Sequence, residues 1–319
     1  NHLELKYTPK LGETDLTLRP YFDTFETLGI EPTRRAGEAG AAAGSPRSTV
    51  VGWKDRNVGL QAVLSRPYAS RGGESSVLAG AQVERLDVYG SFALLSPDAT
   101  SALWRRLDAE TLPSGRETTY ALFGQAKHRL HEALLLNAGL RYDYKLRARY
   151  AQVVDRLSPR AALIFLPTAA LSLRASYGRS FSDPPYFYRY NTLGGAAGYQ
   201  GSDQLKPETL DSTQFSAEWT APWRLTHRVN VFLNDYRNVY FRDSDTLYKN
   251  TGVLRTRGVE AELALRRADL DARANYTFLY TEGNSVGYQV QDNGIANVPS
   301  HMGNLAVDYA PRRAGSGAA

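Results

Sequence analysis

Three short stretches of this chain hold side chains of the kinds that do chemistry. His128-Arg129-Leu130-His131-Glu132 gathers two imidazoles and a carboxylate. A zinc hydrolase needs His-Glu-x-x-His on a helix, so that both rings share a face with the carboxylate between them. Here the order is wrong and the setting is a strand and turn, so the stretch reads as ordinary turn polarity. Asp243-Ser244-Asp245 offers two carboxylates, whereas calcium needs several more oxygens; it reads as solvated loop. The third stretch, Ser180 to Glu208, is the most distinctive. Phe181, Pro184, Pro185, Tyr186, Phe187, Tyr188, Arg189 and Tyr190 are followed by Gly194-Gly195-Ala196-Ala197-Gly198 and then Tyr199. Aromatic rings around one guanidinium can stack on, and hydrogen-bond, an aromatic or anionic ligand. The same rings could instead fold the loop onto the structure beneath. Phe181, Tyr186, Tyr188, Arg189 and Tyr199 are the expected ligand contacts.

Bond-making chemistry has weaker candidates. The chain contains no Gly-x-Ser-x-Gly elbow, Gly-x-Gly-x-x-Gly or phosphate loop, and its five histidines lack triad spacing. No enzymatic activity, cofactor or bound metal is expected. Without cysteine there is neither a disulfide framework nor a thiolate metal site.

The elements that must position these residues announce themselves by alternation. Leu171-Ser172-Leu173-Arg174-Ala175-Ser176-Tyr177 is one run, Val259 to Arg266 another, Leu270 to Phe278 a third. A strand sends successive side chains to opposite faces, so each run makes an uncharged apolar face and a polar, charged one. That is the pattern of lipid-facing and lumen-facing positions in a membrane barrel. The period-2 signal predicts about 13 strands, near 2–8, 14–23, 53–66, 75–88, 117–129, 134–146, 156–166, 170–179, 209–219, 226–240, 250–266, 270–281 and 302–310. Short connections alternate with long ones (24–52, 89–116, 147–155, 180–208, 241–249, 282–301), as they do when one barrel rim carries tight turns and the other long loops. Ser101–Glu110 could form a short helix, and the low-complexity stretch 36–46 reads as a mobile loop tip.

No apolar stretch approaches the ~18 residues of a membrane-spanning helix. The net charge of +5 is spread among interleaved Arg, Asp and Glu, a mixed polar surface with no nucleic-acid footprint. Among 20 tyrosines, Tyr7, Tyr21, Tyr68, Tyr144, Tyr177, Tyr280 and Tyr309 fall near strand ends, where an interfacial girdle places rings with wet hydroxyls. The expected fold is therefore all-β: part of an antiparallel up-and-down transmembrane β-barrel over 1–310, with 311–319 a polar tail at a truncation. Arg141, Asp143, Arg174, Glu260, Glu262, Asp271 and Arg273 are expected to line the lumen.

Several motifs, in order, resemble the β-barrel of TonB-dependent outer-membrane receptors. They are Leu157-Ser158-Pro159-Arg160-Ala161-Ala162-Leu163 with Pro167-Thr168, Ala175-Ser176-Tyr177-Gly178-Arg179-Ser180-Phe181 with Pro184-Pro185, Leu205-Lys206-Pro207-Glu208-Thr209, Asn250-Thr251-Gly252 with Arg257-Gly258-Val259-Glu260, and Asn297-Val298-Pro299-Ser300-His301. The resemblance implies a segment of a 22-stranded barrel with a plugged lumen, the plug and the final strands lying outside this sequence. It further implies a Gram-negative outer-membrane location with lipid around the barrel. The long loops would capture a scarce nutrient, a ferric siderophore first among them. The inner-membrane TonB complex would drive import through the plug. A passive porin would show the same alternation, and a soluble all-β binding module would pack its apolar faces together.

Overall fold

The alternating runs pair edge to edge into one large antiparallel sheet. The computed structural model describes residues 1–32, 48–96, 105–107, 112–148, 152–192, 201–242, 248–250, 252–283, 290–291, 294–295 and 298–310. The stretch 36–46, Tyr199, Asp243-Ser244-Asp245 and the tail 311–319 lie outside the described residues. Thirteen strands follow one another in chain order: β1 (His2–Glu4), β2 (Thr14–Pro32), β3 (Ser48–Ser70), β4 (Gly73–Ser96), β5 (Gly115–His131), β6 (Leu134–Leu146), β7 (Val153–Thr168), β8 (Leu171–Ser182), β9 (Glu208–Thr220), β10 (Leu225–Arg237), β11 (Val253–Arg266), β12 (Leu270–Gly283) and β13 (His301–Tyr309). Each pairs antiparallel with the next, an up-and-down order without crossovers, and among the described residues β1 and β13 do not meet. The sheet is an unclosed part of a barrel. No described helix is long and apolar enough to cross a membrane.

Register carries the alternation from strand to strand, because directly paired residues share a face. Ala175, Phe215, Val231, Val259 and Phe278 stand opposite one another across β8 to β12. Leu60, Val83, Tyr120 and Tyr144 do the same across β3 to β6. These rows form the outward face, and among the described residues no second layer covers it: Leu122 is 64% exposed, Phe215 52% and Leu305 75%. On the inward face, aromatic rings lie across glycines of the facing strand. Tyr21 is paired with Gly59, Phe123 with Gly80 and Phe232 with Gly258. A Cβ on Gly258 would sit 2.3 Å from the Phe232 ring and 2.6 Å from the Phe278 carbonyl, so this in-strand glycine reflects close approach.

Several sequence expectations need correction. The first three long strands run well past the expected 14–23, 53–66 and 75–88. Above the apolar band the outward positions become charged, as at Glu26, Lys54 and Arg85, which ends the hydropathy signal while backbone pairing continues to Pro32↔Ser48. The described part of Ser101–Glu110, Arg105–Leu107, is a strand paired with Ala93–Leu95. The expected strand 226–240 breaks at Asn238, whose φ is +56°. It resumes in a small hairpin of Tyr240–Arg242 and Tyr248–Asn250. Tyr21 is inward, its hydroxyl donating to Glu84 at 2.5 Å, so it leaves the girdle. Tyr68 stays outward near the tight turns, hydrogen-bonded to His128 Nδ1 at 2.8 Å and stacked on that ring.

Candidate functional site

The packed apolar cluster lies at the long-loop end of the sheet, where the aromatic loop folds back over the strands. Pro184 and Pro185 turn the chain out of β8. Pro185 (φ −51°, ψ 149°) then leads into a single short helix, α1 (Tyr186–Tyr190). A proline just before the first turn suits a helix start, since its missing N–H needs no partner there. Tyr186 and Tyr190 pack with Val88 and Leu112, and Phe187 stacks on Trp53 of β3 at 5.1 Å. Tyr188 leaves on the other side, stacked on Tyr248 at 4.3 Å and edge-on to Tyr240 at 5.8 Å. The helix thus ties β3 and β4 to the hairpin that follows β10. The Tyr186 hydroxyl donates to the Pro113 carbonyl at 2.8 Å. Gly115 leaves that hydroxyl its room, because a Cβ there would lie 2.2 Å from it.

Beneath the helix lies a buried charge network. Arg189 Nη1 and Nη2 donate to Glu117 Oε1 and Oε2 at 2.6 and 2.7 Å. Arg189 Nε donates to the Pro184 carbonyl at 2.9 Å, and the guanidinium sits over the Tyr190 ring at 4.9 Å. Lys145 bridges Glu117 and Asp183 at 2.9 and 2.8 Å, and Arg147 reaches Asp183 at 2.5 Å. The Glu117 and Arg189 side chains are each 1% exposed. Three cations against two carboxylates leave the network with one net positive charge. Burial pushes the Asp183 carboxyl up, but Lys145, Arg147 and Arg189 together hold it below the usual carboxylate range. Burial acts against the Arg189 charge, and Glu117 more than offsets it.

That depressed value has a sign and a consequence. Asp183 contributes to anchoring the loop above the ordinary carboxylate value of about 3.9 and loses that contribution as pH falls through its folded value. Limited proteolysis of residues 183–192 is therefore expected to be slow at neutral pH and to accelerate below pH ~4. A flat profile from neutral pH to pH ~3 would contradict this anchoring.

The loop's return leg is clasped by two sequence motifs that meet in space. Asn250 accepts the Lys206 N–H at 2.7 Å, then donates to the carbonyls of Lys206 and Asn238 at 2.9 and 2.6 Å. Glu208 accepts the Tyr240 N–H at 2.8 Å, and Leu205 is buried. Leu205-Lys206-Pro207-Glu208 and Asn250 act here as a structural clasp.

The expected contact residues separate. Tyr188 is half-buried at the mouth of the sheet. Tyr186 is buried under the helix, and Arg189 has its charge committed to Glu117. Phe181 continues the outward row of Tyr177 and Arg179, where it is paired with Thr209. Glu117, Lys145, Arg147 and Asp183 were not singled out in the sequence. The sequence signal for Glu117, Lys145 and Arg147 was inward parity where strands run into long loops; Asp183, with the parity of the outward row, gave none.

The expected lumen residues all share the inward face. Arg141 forks onto Asp143 at 2.7–2.9 Å and donates to Gln82. Arg228 joins Glu218 and Glu262 at 2.7 and 3.1 Å, and Asn230 donates to Glu260. Arg273 pairs with Asp271 at 3.3 Å. Arg174 lines an inward cleft of about 570 Å³ together with Glu260 and Glu262. Such a face, polar and of mixed sign, suits contact with water or with a second polar body.

A family model described as "TonB dependent receptor-like, beta-barrel" matches residues 3–318. No curated protein sequence matches the chain. Among solved structures, the chain is similar to "Copper transporter OprC" (TM-score 0.73, 14% identity), covering 98% of this chain and 49% of that one. The siderophore receptor PirA from Acinetobacter baumannii gives 0.70 at 12% identity, covering 97% and 47%. The ferric citrate transporter FecA in its unliganded form gives 0.68 at 16% identity, covering 98% and 46%. The chain spans about half the length of these structures, and at such identities the likeness is one of fold.

Proposed function

Because the chain belongs to the TonB-dependent receptor β-barrel family, we propose that it forms part of the wall and mouth of an outer-membrane importer. The observation that carries this reading is the contrast between two faces of one sheet. The outward rows are apolar and exposed at alternate positions, whereas the inward face is laced with ion pairs. Water would penalise the first arrangement and hydrocarbon the second. Import is energised by the TonB complex acting on a plug, and the inward charges of Arg141, Asp143, Arg174, Glu260, Glu262, Asp271 and Arg273 are the surface that plug meets. The mechanism is capture and gated passage, without bond chemistry.

A ferric siderophore is the favoured cargo. An iron chelate is in keeping with the siderophore receptor and the ferric citrate transporter among its structural neighbours. Tyr188, at the mouth, serves as a ligand contact, and Tyr199 is a second by the sequence reading alone. Arg189 and Tyr186 act through the loop, holding Tyr188 in place. The full-length protein, placed in cells lacking other siderophore receptors, is expected to accumulate radiolabelled ferric siderophores and to stop when a protonophore is added. Uptake unaffected by the protonophore would indicate a passive channel instead.

A further inference from the structure

Above the outward apolar band of β3 to β5 the charges are unbalanced. Arg56, Arg85 and Arg116 converge on one carboxylate, Asp87, at 3.2, 3.2 and 2.7 Å. The group carries two net positive charges. Arg56 and Arg116 engage Asp87 through Nε alone. Their side chains are 49% and 58% exposed, which leaves the terminal N–H groups facing outward. The outward charges of β8 to β12 are closer to balance: Arg179, Arg237, Arg255 and Arg257 share Asp211, Asp235 and Glu282. Directly below the three arginines, on the same face, lies an almost wholly apolar depression of about 410 Å³. Leu60, Ala62, Ala81, Val83, Tyr120 and Leu122 are among the residues that line it. Arg85 is the next outward residue after Val83, ~7 Å along the strand. Asp155 stands opposite Tyr144 on β7, on the same outward face.

We propose that this face is a specific site for a phosphate-bearing lipid of the leaflet on the long-loop side, with a phosphate on Arg56, Arg85 and Arg116 and an acyl chain in the groove. Guanidinium forks match phosphate oxygens, and the small side chains of Ala62 and Ala81 leave a slot between the leucines and tyrosines. Neither half alone makes the case; the charge excess sits at the top of the slot, where a headgroup would lie. The inference rests on the membrane reading above.

The test uses the full-length receptor, delipidated in detergent and titrated with diphosphoryl lipid A under native mass spectrometry. The wild type is expected to bind lipid A in preference to phosphatidylcholine. R56Q/R85Q/R116Q should weaken it at least about tenfold, as expected when a charge-assisted hydrogen bond is lost. The corresponding lysine triple variant should bind above the glutamine form. Ala81→Phe, which fills the slot, should weaken lipid A while leaving the arginines intact. Equal binding by wild type and the glutamine variant, equal affinity for phosphatidylcholine, or displacement of lipid A by equimolar inorganic phosphate would overturn the proposal. Any of these with the receptor in the outer-membrane fraction sinks only this site. A receptor absent from that fraction sinks the membrane reading as well.

Discussion

Glu117→Ala is expected to destabilise the mouth of the sheet by about 3–5 kcal/mol, the scale for removing one partner of a buried ion pair. The Arg189 guanidinium, 1% exposed, would lose both short bonds to Glu117 and face Lys145 across the gap. Removing the carboxylate leaves three cations around Asp183 alone. The cheapest relief is for α1 to lift away, which unstacks Phe187 from Trp53 and Tyr188 from Tyr248. Faster proteolysis of residues 183–192 and loss of ferric-siderophore binding should therefore appear together in the full-length receptor. Glu117→Gln should do less harm, because its carbonyl still accepts one guanidinium N–H. If the alanine variant keeps its proteolytic pattern and its ligand affinity, the buried network is not what holds the loop.

Of this network only Arg189 was singled out along the chain, and for another role. Glu117 and Arg189 are 72 residues apart, and their meeting depends on how the aromatic loop folds back over the sheet. Along the chain, the run from Tyr186 to Tyr190 reads either as a ligand surface or as rings that fold the loop onto the sheet, and most of its rings are spent on packing. Phe181 was a different matter. It was expected in the loop from Ser180, but β8 runs on to Ser182 and keeps it on the outward row of Ala175 and Tyr177. That the seven expected lumen residues share one face was legible from the alternation. A period of 2 admits no drift, and register then carries each strand's face to its neighbour. The upper lengths of β2, β3 and β4 were illegible because their outward positions turn polar above the apolar band, while the backbone ladder runs on.

The second large effect lies in the middle of the outward face. Val231 stands at the centre of β10, in the row of Phe215, Val259 and Phe278. Val231→Arg is expected to cost about 2–4 kcal/mol of folding stability in a bilayer, the scale for arginine at the midplane of a barrel. Its neighbour Asn230 faces inward beside Glu260. Asn230→Arg should be near neutral, since water and a carboxylate receive the new charge. The contrast between adjacent residues separates a lipid-facing wall from general intolerance of β10. Unfolding titrations of the full-length receptor in phospholipid vesicles would measure it. Equal costs at the two positions would mean that the two faces do not meet different solvents.

The absence of native cysteine in this segment makes solvent mapping direct wherever the rest of the receptor is also free of accessible thiols. Single cysteines at residues 228 to 233, each carrying a nitroxide, report collision with oxygen, which concentrates in hydrocarbon, or with a water-soluble nickel chelate. In the full-length receptor in bilayers, Val229, Val231 and Leu233 should favour oxygen, and Arg228, Asn230 and Phe232 should be relatively shielded from it. A strict alternation of oxygen accessibility is the result predicted. Accessibility without alternation, or outward positions shielded from both reagents by a second protein layer, would contradict a wall with lipid outside and a polar interior.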